Sequence, residues 1–130
     1  MELDYIINKP INLVFDYLTD MQKFAAAHPV IHRTEKLSEN NYMVFEKLAF
    51  ISFSYPVTID FNKKENTILM EAVVMKFTKI NMVFSLKSVD NTTIVKETIS
   101  IKSPFPLQSI IESIFKKQHE KLFRNFGELL

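Results

Sequence analysis

One change of period divides this chain. From about Ile31 to Ser103 apolar side chains tend to alternate as in β-strands, and beyond the Ser103-Pro104-Phe105-Pro106 stretch they recur with the period of an α-helix. Projected at about 100° per residue, Leu107, Ile111, Ile114, Phe115, Leu122, Phe126 and Leu129 share one apolar stripe, with Lys116, Glu120, Arg124 and Gly127 opposite. A long helix with one oily side needs an apolar surface to lie on. The preceding residues supply one if they form consecutive strands of a single antiparallel sheet. The expected class is therefore α+β, a curved antiparallel sheet of about seven strands around a long C-terminal helix. This constrains the fold more than the chemistry, because no catalytic motif of any specificity is present.

The chain has 130 residues, the size of one domain, here residues 1–130, able to bury roughly two thirds of the surface its unfolded form exposes. Hydrophobic residues make up 47%, with twelve Phe, four Tyr and no Trp, so material for a core is ample. Lys and Arg number 16 against 15 Asp and Glu, a formal charge of +1. That near balance gives no electrostatic reason to expect nucleic acid or an anionic membrane as the main partner unless charge is gathered in a local patch. Cysteine is absent, which excludes disulfides, thiolate nucleophiles and Cys-based metal sites and fits a reducing compartment; the expected location is cytoplasmic. The start, Met1-Glu2-Leu3-Asp4-Tyr5, is acidic rather than basic and apolar, unlike a secretory signal. No apolar run reaches the ~20 residues that a membrane span requires.

Along the chain, residues 3–8 read as a strand, and a helix runs through Phe15, Tyr17 and Leu18 with Pro10 near its first turn. Asp20 is the expected cap of a second short helix over 21–27, stopped by His28-Pro29. Strands are then expected over 31–37, 42–53, from about Tyr55 onward, and over 67–74, 77–89 and 92–102. Polar turns at 38–41, 62–66 and Asp90-Asn91 separate them.

This order resembles the helix-grip fold of the START and Bet v 1-like (SRPBCC, polyketide cyclase/dehydrase-like) superfamily over nearly the whole chain. The local carriers are Ile7-Asn8-Lys9-Pro10-Ile11-Asn12-Leu13-Val14-Phe15-Asp16-Tyr17-Leu18-Thr19-Asp20, which looks like the family's opening strand and helix, and the closing Gln118-His119-Glu120-Lys121-Leu122-Phe123. The resemblance implies a sheet gripping the last helix, often with an apolar cavity between them for a lipid, steroid, quinone or polyketide-like molecule. It implies no single reaction, since the superfamily includes carriers, cyclases and regulators of other proteins. One departure is that Gly127 is the only glycine, whereas relatives use glycines in strand turns and kinks.

The same shortage excludes chemistry, because loops that cradle phosphates or dinucleotides need several glycines; no cofactor is expected. Three histidines, His28, His32 and His119, are too few and too poorly spaced with carboxylates for a metal centre. His28 and His32 read as turn or surface residues.

Polar residues at interior phases are more telling. In the last strand Thr92, Ile94, Lys96, Thr98, Ser100 and Lys102 share the outer face, which turns Val95, Glu97, Ile99 and Ile101 inward. A carboxylate in an apolar cleft costs several kcal/mol unless paired, hydrogen-bonded or protonated. Glu97 therefore either orients a ligand or acts as an acid or base, or it meets a structural partner such as Lys47 in the series Met43, Phe45, Lys47, Ala49, Ile51, Phe53. Gln118 and Asn125 lie within the helical stripe, where each offers an amide to a ligand or to strand-end backbone or buried water.

Alternation and helical phase nominate Phe45, Tyr55, Met70, Met82, Phe84, Ile111, Phe115 and Leu122, with Phe53, as the inner lining beside Glu97 and Gln118. Phe105, between two prolines, and Phe123, off the main stripe, are candidates for exposure, and if exposed they form a peripheral membrane- or protein-docking edge at either end of the helix. Three readings follow. The first is a noncatalytic module that binds or carries a hydrophobic small molecule. The second is a cyclase, dehydratase or isomerase using Glu97, with Gln118 or Tyr55 orienting substrate. The third is an accessory domain that binds protein and has a filled interior.

Overall fold

The computed structural model describes residues 1–48, 50–104 and 107–129. In chain order its elements are β1 (Glu2–Ile7), α1 (Ile11–Thr19), α2 (Met21–Ala27), β2 (Ile31–Ser38), β3 (Asn41–Leu48), β4 (Ile51–Asn62), β5 (Thr67–Val74), β6 (Thr78–Val89), β7 (Thr92–Lys102) and α3 (Leu107–Leu129). The strands form one antiparallel sheet in the order β1-β7-β6-β5-β4-β3-β2, so the fold is α+β with β1 and β2 as its edges.

Local chemistry explains the early helices. The Pro10 carbonyl accepts the Leu13 and Val14 amides at 3.1 and 3.2 Å, opening α1 where a missing proline N–H costs nothing. Asp20 caps α2 as the sequence predicts, its Oδ1 accepting the amides of Gln22 at 3.0 Å and Lys23 at 3.3 Å. Asp90 and Asn91, both with positive φ, make the two-residue reversal between β6 and β7.

Residues 42–53 do not form one strand as expected. The chain reverses between Leu48 and Ile51, and β4 begins there rather than near Tyr55. Leu48-Ala49-Phe50-Ile51 carries no Gly, Pro, Asn or Asp to announce a turn. Pro56 marks no break either, because it sits in β4 ahead of the β4–β5 pairing that starts at Val57. A two-residue loop exchanges odd and even positions between faces: Val44 opposes Tyr55 and Phe45 opposes Ser54. The inner face of β3 is therefore carried by Val44 and Glu46. Phe45 lies on the outer face, its ring under the Arg33 guanidinium at 3.9 Å.

The two halves of α3 behave differently. Leu122, Phe123 and Phe126 are buried, and rings of Tyr5, Tyr17 and Phe84 pack on Phe123 or Phe126 at 4.1 to 6.1 Å between centroids. Phe123, a candidate for exposure, is thus core. Asn125 donates to the Ala27 carbonyl at 2.8 Å, tying α3 to the end of α2. Toward the start of the helix Leu107, Ile110 and Ile114 stay exposed, so this half stands off the sheet. The candidate exposure of Phe105 and the side chain of Leu129 fall outside the described residues.

Candidate functional site

Strand polarity gathers one set of connections at one end of the sheet: α2 to β2, β3 to β4, β5 to β6, and β7 to α3. Between that end of the sheet and the first half of α3 lies a cavity of about 290 Å³, at the lower end of the ~300–1,000 Å³ usual for small-molecule pockets. Its described polar lining is limited to His28, Glu46, Tyr55, Thr78, Gln118 and His119; the rest is Met, Phe, Ile, Leu, Val and Ala. Its lip is apolar too, with Ile51, Met75, Phe77 and Leu107 all partly open to solvent. Next to it Phe50 is 91% exposed.

Of the residues nominated from sequence, Tyr55, Met70, Met82, Ile111, Phe115 and Gln118 line this cavity. Phe53, named with them, lines it as well. Phe45, Phe84, Glu97 and Leu122 do not. Phe45 is on the other face for the reason given above. Phe84 and Leu122 are fully buried but lie outside the cavity lining, Phe84 on β6 packing against Phe123 of α3 and Leu122 on the second half of α3 itself. Glu97 is also fully buried between Val95 and Ile99 on β7, and one side chain separates it from the cavity.

That side chain is His119. Its Nδ1 lies 2.6 Å from Glu97 Oε2, and both side chains are at or below 1% exposure. The partner of Glu97 is therefore this histidine and not Lys47, which is exposed opposite Ser52. The spacing Phe115, His119, Leu122, Phe126 continues the apolar stripe of α3, so helical phase was a usable signal for His119. On β1, Tyr5 has a buried hydroxyl without a partner among the described residues; burial, then the charges of Glu97 and Glu120, push its pKa up.

Two further groups emerge only in three dimensions. His28, read from sequence as a turn or surface residue, is 8% exposed and lines the cavity, whereas His32 is exposed as expected. Burial, with the neighbouring His119, lowers the His28 pKa to about 3, and its Nδ1 accepts the Val30 amide at 3.3 Å. Glu46 is 7% exposed and accepts the Tyr55 hydroxyl. Burial raises its pKa to about 7. The site is thus an apolar chamber with a carboxyl–phenol pair on the sheet and a carboxylate-backed imidazole on the helix. Among the described residues no cluster of His, Asp and Glu could hold a metal ion, and no helix is long and apolar enough to cross a membrane.

No protein-family model matches the sequence, and no curated protein matches it. Solved structures do match the fold. The crystal structure of Ara h 8.0201 aligns with a TM-score of 0.83 at 14% identity, over 98% of this chain and 94% of that one. A START superfamily protein from Mycobacterium smegmatis gives 0.80 at 14%, over 98% and 94%. The Zhui aromatase/cyclase from Streptomyces sp. R1128 gives 0.81 at 11%, over 98% and 90%. At these identities the likeness is one of fold, and it agrees with the strand order, the paired short helices and the gripping α3. The chain has the START/Bet v 1-like helix-grip fold.

Proposed function

We propose that this chain binds a hydrophobic small molecule, of lipid, quinone or polyketide-like character, in the cavity between the sheet and α3. The observation that supports it is the lining: an open chamber walled by Met, Phe and aliphatic side chains with six polar residues among them. Water in such a space finds few hydrogen-bond partners, so an apolar ligand displaces it at little cost. The adaptable Met21, Met70 and Met82 shape themselves to the occupant. Native mass spectrometry of freshly purified protein, followed by solvent extraction, tests this. A stoichiometric apolar molecule, or saturable uptake of one from a panel of lipids, quinones and polycyclic compounds, is the expected result. Protein that is empty and refuses the whole panel overturns the reading in favour of protein binding through the exposed lip.

A second reading is favoured by one observation, the Glu97–His119 pair. A buried carboxyl group 2.6 Å from an imidazole at the wall of a substrate-sized chamber is an arrangement suited to general acid–base work. In an enzyme of the cyclase or dehydratase class His119 would face the substrate and Glu97 would position it. Turnover of a polyketide-like substrate that Glu97→Gln slows without weakening binding would support this reading; its absence across substrates that do bind leaves carriage.

A further inference from the structure

Two polar residues of the cavity meet where α3 passes the end of α2. The rings of His28 and His119 meet there at 5.9 Å between centroids and at right angles, and Phe115 packs on His119 at 4.8 Å. Both histidines are more than nine-tenths buried, and both line the cavity.

Their remaining hydrogen-bonding capacity follows from what each has already used. His28 spends Nδ1 as an acceptor for the Val30 N–H, so the proton of the neutral ring sits on Nε2, a donor. Its lowered pKa, about 3, keeps the ring neutral. His119 has its Nδ1 2.6 Å from Oε2 of Glu97, and neither atom makes a well-formed hydrogen bond among the described residues. We place the proton of the neutral ring on Nδ1, the nitrogen that faces the carboxyl oxygen, which leaves Nε2 a bare acceptor. Glu97 strengthens that acceptor, as a carboxylate behind an imidazole does elsewhere. It also repels any second anion brought up to the far side of the ring, with little water to screen the repulsion.

One donor beside one acceptor matches a group that gives and takes a hydrogen bond at the same atom. We propose that the His28–His119 corner recognises the hydroxyl of a phenol or enol on an otherwise apolar ligand. The ligand O–H donates to Nε2 of His119, and its oxygen accepts from Nε2–H of His28. An ether lacks the proton, a hydrocarbon lacks both functions, and a carboxylate faces Glu97. The corner thus selects a neutral, weakly acidic hydroxyl, and the aromatic walls at Phe24 and Phe115 suit the flat ring system that carries one. This assignment rests on the small-molecule reading of the cavity.

The test is titration calorimetry at neutral pH with naphthol, its methyl ether and naphthoate. Naphthol is expected to bind at least about tenfold more tightly than the ether, with naphthoate weakest. The double variant Glu97→Met/His119→Phe, which removes the pair without orphaning a charge, is expected to bind naphthol and its methyl ether within about threefold of each other, the preference for naphthol being lost. Equal affinity for naphthol and ether, a naphthoate preference, or a preference that survives in the double variant overturns the proposal while leaving the cavity reading intact. Failure of all three probes to bind overturns the proposal, and the cavity reading then stands or falls with the wider ligand panel. Should the double variant not fold, nitrogen NMR of the wild-type histidines decides: naphthol, and not its ether, is expected to shift His119 Nε2, and an unmoved resonance refutes the contact.

Discussion

Nδ1 of His119 sits 2.6 Å from Oε2 of Glu97, with neither side chain in contact with solvent. Removing one member strands the other in an apolar interior, whereas removing both does not. Single substitutions Glu97→Met and His119→Phe are therefore expected to cost about 3–5 kcal/mol each, and the double variant much less than their sum. Urea denaturation of the four proteins measures the coupling. Strict additivity would show that the two groups do not act as a pair.

Glu46 links stability to pH. Its folded pKa is raised to about 7 from an ordinary 4.5, so between those values the folded state holds a proton that the unfolded state has released. Its contribution to stability is greatest below pH about 4.5, falls as pH rises toward 7, and is constant above. Glu46→Gln keeps an acceptor for Tyr55 without the ionisation. Relative to wild type it is expected to be neutral near pH 4 and more stable by about 2–3 kcal/mol near pH 8. A difference that does not change with pH would refute the assignment.

His28 titrates with the opposite consequence. Its pKa is lowered to about 3 from 6.5, so below pH about 6.5 the unfolded state takes up a proton that the folded state refuses, and stability falls with pH until about 3. Comparing His28→Gln with wild type from pH 7 down to pH 4 isolates the term. The variant should lose stability less steeply, and parallel curves would count against a buried neutral ring.

The reversal of odd and even positions across the β3–β4 hairpin predicts unequal sensitivity in two phenylalanines. Phe84→Ala empties a fully buried site and should cost about 3–5 kcal/mol. Phe45→Ser, on the outer face under Arg33, should cost about 1 kcal/mol or less. Equal losses in thermal or chemical denaturation would place Phe45 inside after all.

The turn between β5 and β6 holds Met75 and Lys76 at φ of 55° and 68°, a region that side chains with a Cβ occupy at a cost of ~1–2 kcal/mol per residue. Lys76→Gly relieves that conformation and is expected to raise stability by up to about 1 kcal/mol, read as an increase in Tm. A fall in Tm would show that the lysine is held there by contacts worth more than the backbone cost.

Much of the fold was legible because its signals are local. Alternation marked most strands, Asp20 announced the α2 cap, Asp90-Asn91 announced a hairpin, and the stripe from Leu107 onward announced α3. The candidate site was less legible because facing depends on where a turn falls. With no turn residue between Leu48 and Ile51, the odd positions of β3 read as interior; the true reversal hides Glu46 inside and turns Phe45 out. Glu97 was correctly read as pointing inward. Its partner came from another element, 22 positions along the chain, and pairings of that kind leave no trace in a strand's own pattern. His28 before Pro29 looks like any turn histidine, and its burial comes from α3 passing over it.

The two ends of the strand order have a consequence for self-association. An unpaired edge is a template on which further chains can add strands. Along β2 the exposed His32, Arg33, Glu35 and Lys36 crowd one edge with charge and polarity, and along β1 Glu2 and Asp4 put carboxylates at the other. A copy docking by strand addition would have to strip water from these groups with few partners to offer in return. Despite its seven strands and its wealth of phenylalanine, the sheet carries charge at both margins that weighs against strand addition, with Ile6 and Leu37 as the exposed apolar positions there.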